Sequence, residues 1–403
     1  MHDTPKGNRI HIAILGRTNV GKSSYLNLLC GQSVSITSEV RGTTTDVVEK
    51  AMELLPLGPV LFLDTAGLDD TTALGAKRVE RTEKVFERAD IILLVLEAGV
   101  WTAYEDAVLA KAKDAGTPVI AVVNKCDIAQ PDDSFVEMLV SRGLSNLCVS
   151  CLDARARDAA LVALKEAIVR SVPPEYFKEP QLISDLVRGG EIAVLVVPID
   201  LEAPKGRLIL PQVQTIRDAL DADAVCVVVK ERELPFILEN LKQPPKLVVC
   251  DSQGILKVSA DVPRTIPLTT FSVLMSRFKG DLASFVKGAA AIDSLTAKSK
   301  VLIAESCTHH AIGDDIGRVK IPRWLRQYLG FDLAIDHFAG RDFPADLAQY
   351  SLIIHCGSCM LNRKQMLWRI AAAKKAGVPI TNYGMAIAKL QGVFDRVVKP
   401  FGL

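Results

Sequence analysis

The sequence has no excess of either charge. Lys and Arg number 48 against 47 Asp and Glu, a net of +1 over 403 residues. So even a balance argues against nucleic acid or a membrane surface as the main partner, because both are held by clustered basic side chains. Aromatic residues are scarce at 5%, and no basic, aromatic-rich module suggests RNA binding. Long apolar runs are missing too: "IILLVLEAGV", from Ile91, is far too short to span a bilayer and reads as a buried strand. The first residues, "MHDTPKGNRIHIAILG", lack the apolar core and small-residue cleavage site of an export signal, so a cytoplasmic location is expected. The nine cysteines are then expected as thiols, and clustered ones as metal ligands rather than disulfides. No repeat or low-complexity tract is present.

What the chain does contain is strand-like runs alternating with helical patterns, the rhythm of α/β folds. "RIHIAIL", "VLFLD", "IILLVL", "PVIAVVN" and "NLCVS" occupy the first part, and the proline-rich "SVPPEYFKEP" suits a linker. "EIAVLVVPI", "AVCVVV" and "KLVVC" follow, then one long helical stretch over 271–295. The last part reads "KVLIAES", a helix over 320–329, "DLAIDHF", a short helix, "SLIIHC", a helix over 362–376, "VPITNYG" and a closing helix. The length is too great for one core. Three α/β domains are expected, over 1–172, 173–272 and 273–403, the first with a mainly parallel sheet.

"GRTNVGKS", Gly16 to Ser23, is a phosphate-binding loop between a strand and a helix. Gly16, Asn19, Val20, Gly21 and Ser24 would line the phosphates, Lys22 would reach the β- and γ-phosphates, and Ser23 would ligate Mg²⁺. "DTAG" adds Asp64 for the Mg²⁺ shell and Gly67 for the γ-phosphate. "NKCD" places Asn124, Lys125 and Asp127 after a strand, and Asp127 can accept two hydrogen bonds from guanine that adenine cannot offer. "VSCLD" puts Ser150 and Cys151 near the base. Four motifs in order point to GTP binding and hydrolysis. These residues resemble the tRNA-modification-type and Era-type GTPases. By that resemblance "RGTTTD" is switch I, Thr44 is the second Mg²⁺ ligand, and Asn19 stands where potassium-activated members help hold K⁺. Leu68 follows "DTAG" where Ras-like enzymes have a water-orienting Gln, so slow turnover is expected.

A second set of residues is unrelated to GTP. "ESCTHHAIGDD" follows one strand-like run and "IIHCGSCM" another. Ligands collect beyond the carboxyl ends of strands in open α/β sheets, so the two clusters are expected to meet. Cys307, Cys356 and Cys359 could hold a [4Fe–4S] cluster, with His309 or His355 as fourth ligand or behind the ligands. By spacing alone a Cys₃His zinc site fits as well. Cys307-x-His309 and His355-Cys356-x-x-Cys359 behind a GTPase resemble the HydF family of [FeFe]-hydrogenase maturation GTPases. "PIDLEAPKGRLILPQVQTIRDAL", from Pro198, resembles that family's dimerisation domain. The resemblance implies a homodimeric scaffold with a [4Fe–4S] cluster. It also implies a transient diiron precursor bearing CO and cyanide, two radical-SAM maturases as partners, and apo-hydrogenase as recipient. A zinc-stabilised GTPase in RNA or ribosome maturation is the rival reading, and a redox-sensing GTPase a third.

The remaining candidates have plainer readings. Cys226 and Cys250 sit in apolar runs and are expected in the core, as are Trp101, Trp324 and Trp368. Cys30, Cys126 and Cys148 read as packing or loop residues, and His337 as structural. Arg318, Lys320, Arg323 and Arg326 read as a solvated face, while Arg363 and Lys364 stand close enough to Cys359 to attract an anion.

Overall fold

A computed structural model describes residues 4–31, 48–55, 57–64, 84–152, 156–172, 180–199, 206, 208–306, 315–340 and 343–403. The chain divides into two compact units, Met1–Lys178 and Glu179–Leu403.

The first unit is built on six strands: β1 (Ile10–Leu15), β2 (Val48–Leu54), β3 (Gly58–Asp64), β4 (Ile91–Glu97), β5 (Val119–Asn124) and β6 (Ser145–Cys148). Their order is β2-β3-β1-β4-β5-β6, and only β2 runs antiparallel. The central strands are near-continuous apolar runs because both faces are covered. Ile12, Ile14, Leu93 and Val122 pack with Leu26 and Leu164 on one face; Ala13, Leu94 and Val123 pack with Val108 and Leu139 on the other. The sequence reading missed β2, "VEKAMEL". Its charges suit an edge strand: Glu49 pairs with Lys6 at 2.9 Å and with Arg88 at 2.7 Å.

The second unit holds two four-stranded sheets. β7 (Ile192–Val196), β8 (Val225–Val229), β9 (Leu247–Cys250) and β10 (Leu268–Thr270) form one. β11 (Lys300–Glu305), β12 (Ala334–Ala339), β13 (Leu352–His355) and β14 (Ile380–Asn382) form the other. The orders are β10-β9-β7-β8 and β12-β11-β13-β14, parallel throughout. One core runs through both. Val194, Val248 and Leu268 of the first sheet join Leu302, Ile353 and Ile380 of the second, with Val273 and Phe285 in the same cluster. Thr269 Oγ1 donates to the Val397 carbonyl at 2.9 Å, which ties β10 to the helix Phe394–Val398.

The second unit corrects two expectations. The stretch 271–295 is not one helix: Phe271–Lys279 ends at Gly280, and Leu282–Ala290 and a short 3₁₀ turn follow. Gly280 packs against Phe285, so closely that a Cβ there would lie 2.6 Å from the ring. Arg363 Nη1 donates to the carbonyls of Arg277, Phe278 and Gly280 at 3.0, 2.6 and 3.0 Å, satisfying groups that a helix end leaves open. The short helix expected before β13 is absent among residues 343–351, and the helix Ile321–Leu329 is preceded by a π-helical segment, Ile316–Lys320. Among the described residues, no helix is long and apolar enough to cross a membrane.

Candidate functional site

The chain leaves β1 at Leu15 and turns through 16–21 into the helix Lys22–Cys30. Two glycines make this turn possible. A Cβ at Gly16 would lie 2.4 Å from the Val95 carbonyl oxygen, and one at Gly21 (φ +94°) would lie 2.2 Å from Asn124 Nδ2. Asn19 takes a left-handed φ of 66°. Lys22 is buried, and its Nζ donates to the carbonyls of Gly16 and Arg17 at 2.8 and 2.9 Å. The ammonium is therefore held inside the loop that would receive phosphate. Ser23 Oγ donates to Asp64 Oδ2 at 3.2 Å, which brings together two side chains expected at Mg²⁺.

A brace missed by the sequence reading holds this loop. Arg17 Nε donates to the fully buried Glu105 at 2.9 Å, and the Gly16 N–H to Tyr104 OH at 3.3 Å. Glu105 also accepts from the backbone and hydroxyl of Thr102 at 2.8 and 2.6 Å, the capping box of helix Ala103–Asp114. The T-x-x-E spacing was the available signal.

The base-side residues converge as well. Asn124 is buried; its Nδ2 donates to the Val20 carbonyl at 2.8 Å while its Oδ1 accepts from Cys151 Sγ at 3.1 Å. One amide thus links the phosphate loop to the loop after β6. Lys125, at φ 61°, pairs with Glu97. Asp127 is exposed. Burial, and next the nearby Asp127 carboxylate, push the Cys151 thiol up to about 11, so Cys151 stays a neutral donor near the carboxylate expected to meet the base.

At the other candidate site, β13 ends in His355. The Cys356 N–H donates to the Ala304 carbonyl at 2.8 Å, and Ser358 turns the chain with a φ of 56°. The Ser306 N–H donates to Cys356 Sγ at 3.2 Å, and Ser306 Oγ lies 3.1 Å from the same sulfur. The ends of β11 and β13 therefore meet. Cys307, Thr308, His309 and His310 lie outside the described residues, as do Thr44, Gly67 and Leu68. Cys359 has a face at the surface, yet partial loss of solvent and the neighbouring Cys356 push its thiol up, while the Lys279 ammonium pulls the other way. Among the described residues, no three His, Cys, Asp or Glu side chains gather as a metal site. The two thiols still fit a thiolate-held cluster: a backbone N–H points at one sulfur and a buried ammonium stands near the other.

His355 is not placed as an open ligand. Arg369 Nη1 lies 2.6 Å from His355 Nε2, and both side chains are buried. A guanidinium only donates, so Nε2 accepts, and Nδ1 carries the proton and donates to the Cys356 carbonyl at 2.9 Å. Burial, then Arg369, hold His355 down to about 3, so the ring is neutral. With both nitrogens engaged it steadies the Cys356 backbone and offers no lone pair to a metal. Arg363 directs its Nη1 at helix carbonyls.

Residues 182–280 match the hydrogen maturase F dimerization domain and residues 283–400 its tetramerization domain. The chain belongs to the hydrogen maturase F family. Its N-terminal part, residues 11–125, matches the 50S ribosome-binding GTPase family, so this hydrogen maturase F chain carries a GTP-hydrolysing domain. The tRNA modification GTPase MnmE of Synechococcus sp. (strain JA-2-3B'a(2-13)) is 41% identical over 128 residues, covering 30% of this chain and 27% of that protein. MnmE of Bordetella parapertussis is 33% identical over 196 residues, 44% of this chain and 43% of the relative. The chain thus spans between about a quarter and a half of the length of these curated relatives. Among solved structures, Aquifex aeolicus Era bound to GDP.AlF4- aligns with a TM-score of 0.34 at 22% identity, over 57% of this chain and 97% of that one.

Three other basic candidates of this hydrogen maturase F chain have acidic or amide partners. Arg318 faces Glu305 at 3.6 Å, Lys320 donates to Gln253 at 2.6 Å, and Arg326 pairs with Asp332. Cys250 is buried, whereas Cys226, expected in the core, lies half-buried on the edge strand β8.

Proposed function

We propose that this protein is a slow GTPase and a [4Fe–4S] scaffold. It would receive the diiron CO/cyanide precursor from radical-SAM maturases and pass it to apo-[FeFe]-hydrogenase. What supports this most is the pair Cys356 and Cys359 at the end of β13, beside the end of β11 that leads into Cys307, in a hydrogen maturase F chain. Cys307, Cys356 and Cys359 would hold the cluster, which when bound supplies an iron with room for a further ligand. His355, its ring held by Arg369, keeps the Cys356 backbone in place. At the nucleotide, Lys22 would exchange the carbonyls of Gly16 and Arg17 for phosphate oxygens, and Ser23, Asp64 and Thr44 would hold Mg²⁺. The γ-phosphate orders switch segments in such enzymes, and this would bias contact with the maturases. Anaerobic iron and sulfide analysis with EPR of the reduced protein tests the reading, followed by activation of apo-hydrogenase. Stoichiometric zinc with no iron uptake would favour the RNA-maturation alternative instead.

Asn19 would help hold K⁺. Turnover should then be higher in K⁺ than in Na⁺ at equal ionic strength, a difference that Asn19→Ala removes; equal rates in the parent exclude it.

The protein would act as a dimer through the sheet of residues 182–280. β8 ends this sheet and exposes Val225 at 48% and Val228 at 44%, while the adjoining helix Leu210–Asp221 exposes Val213 and Leu220. A bare apolar strand edge is a template for pairing with a second copy. Val228→Lys should shift the protein from dimer to monomer in light scattering, and an unchanged dimer would move the interface elsewhere.

A further inference from the structure

We propose that Ser306 is a positioning residue of the iron–sulfur site, whose backbone N–H and hydroxyl together hold the Cys356 sulfur as a ligand and set the potential of the cluster. The inference rests on the assignment of Cys356 to that cluster.

Backbone register brings the two residues together. Ala304 of β11 pairs with His355 of β13, and the Cys356 N–H donates back to the Ala304 carbonyl at 2.8 Å. Continued one step, that register sets Glu305 beside Cys356, and Ser306 follows directly on Glu305 within reach of the Cys356 sulfur. Ser306 is 3% exposed, with its N–H 3.2 Å and its Oγ 3.1 Å from Cys356 Sγ. While the sulfur carries a proton, either it or the hydroxyl could donate. Once the sulfur is ligated it has no proton, so both hydrogen bonds must run from Ser306 into the thiolate. Hydrogen bonds to a ligating sulfur draw density off it and favour the more negative, reduced cluster, which raises the potential. They also fix where the sulfur points.

The surroundings leave this pair undisturbed. The Glu305 carboxylate next door is engaged by Tyr383 OH at 3.1 Å and by Arg318 at 3.6 Å. On the far side, His355 Nδ1–H holds the Cys356 carbonyl. Cys356 is therefore gripped at its N–H, its carbonyl and its sulfur, and Ser306 alone supplies the grip on the sulfur among the hydrogen bonds described.

The test uses reconstituted full-length protein: the parent, Ser306→Ala and Ser306→Thr. An EPR-monitored redox titration and the rate of iron loss to a chelator are read in each. Ser306→Ala should take up the parent amounts of iron and sulfide, titrate at a more negative potential and lose iron about 10-fold faster, in keeping with supporting hydrogen bonds at other metal sites. Ser306→Thr, which keeps the hydroxyl, should return both readings towards the parent. If Ser306→Ala cannot be loaded, recovery in Ser306→Thr supports the inference and failure of both overturns it. Parent potential and parent release rate in Ser306→Ala overturn it while leaving the cluster assignment intact. A parent protein that takes up no [4Fe–4S] cluster overturns the assignment itself, and the role of Ser306 with it.

Discussion

Cys356→Ser or Cys359→Ser will strip most of the iron from the reconstituted protein and leave GTP turnover within about twofold of the parent; Lys22→Ala will do the reverse. Serine is a poor ligand for iron at neutral pH, and a cubane left with two thiolates is held badly. The same outcome is expected for Cys307→Ser. Neither Cys356 nor Cys359 lies in the unit that carries Lys22, Asp64 and Asp127. Removing the Lys22 ammonium would take away the charge expected to meet the phosphates, and losses of about 10²–10³ in rate are typical for one such group. Iron, sulfide and the reduced EPR signal should survive that change. Both classes of variant should fail to activate apo-hydrogenase. Cysteine variants that still bind a full complement of iron would show the ligands to be misassigned.

Asp127→Asn should weaken GTP binding roughly 10- to 150-fold, the range for losing a hydrogen bond to a charged acceptor, and should improve binding of xanthine nucleotides. The new amide donates to the oxygen on the xanthine base, where guanine presents only donors to the carboxylate. Asp127 is open to solvent while Asn124 is buried and braces Val20. The substitution therefore reads base recognition without disturbing the loop. Asn124→Ala would not separate the two, because it also cuts the link to the phosphate loop. Equal affinities of the parent and Asp127→Asn for both nucleotides would remove the base-reading role from Asp127.

The mainly parallel α/β character could be read from the chain because buried parallel strands are almost pure apolar runs. β4 and β5 needed no partner to be recognised. β2 and β10 escaped for opposite reasons: β2 is an edge strand dominated by charge, and β10 is three residues long, too short to show a period. The break at Gly280 was missed because Arg363, far along the chain, absorbs the carbonyls of the first helix. The same limit applies to the site. Motif residues announced themselves by spacing, but Ser306, Arg369 and Glu105 act through neighbours that only the fold supplies. A serine before a cysteine and an arginine on a helix carry no mark in the sequence. For His355 the motif left open a ligand or a place behind the ligands, and its burial against Arg369 is a contact that spacing could not supply.

The bond from Thr269 to the Val397 carbonyl also bears on how the chain is made. β10 obtains that partner only after residues 394–398 have left the ribosome, more than a hundred positions after β10 itself. At roughly 5–20 residues per second the interval lasts many seconds. The GTPase unit can be complete before then, whereas the shared core of the two later sheets has to wait, its apolar strands already synthesised but not yet covered.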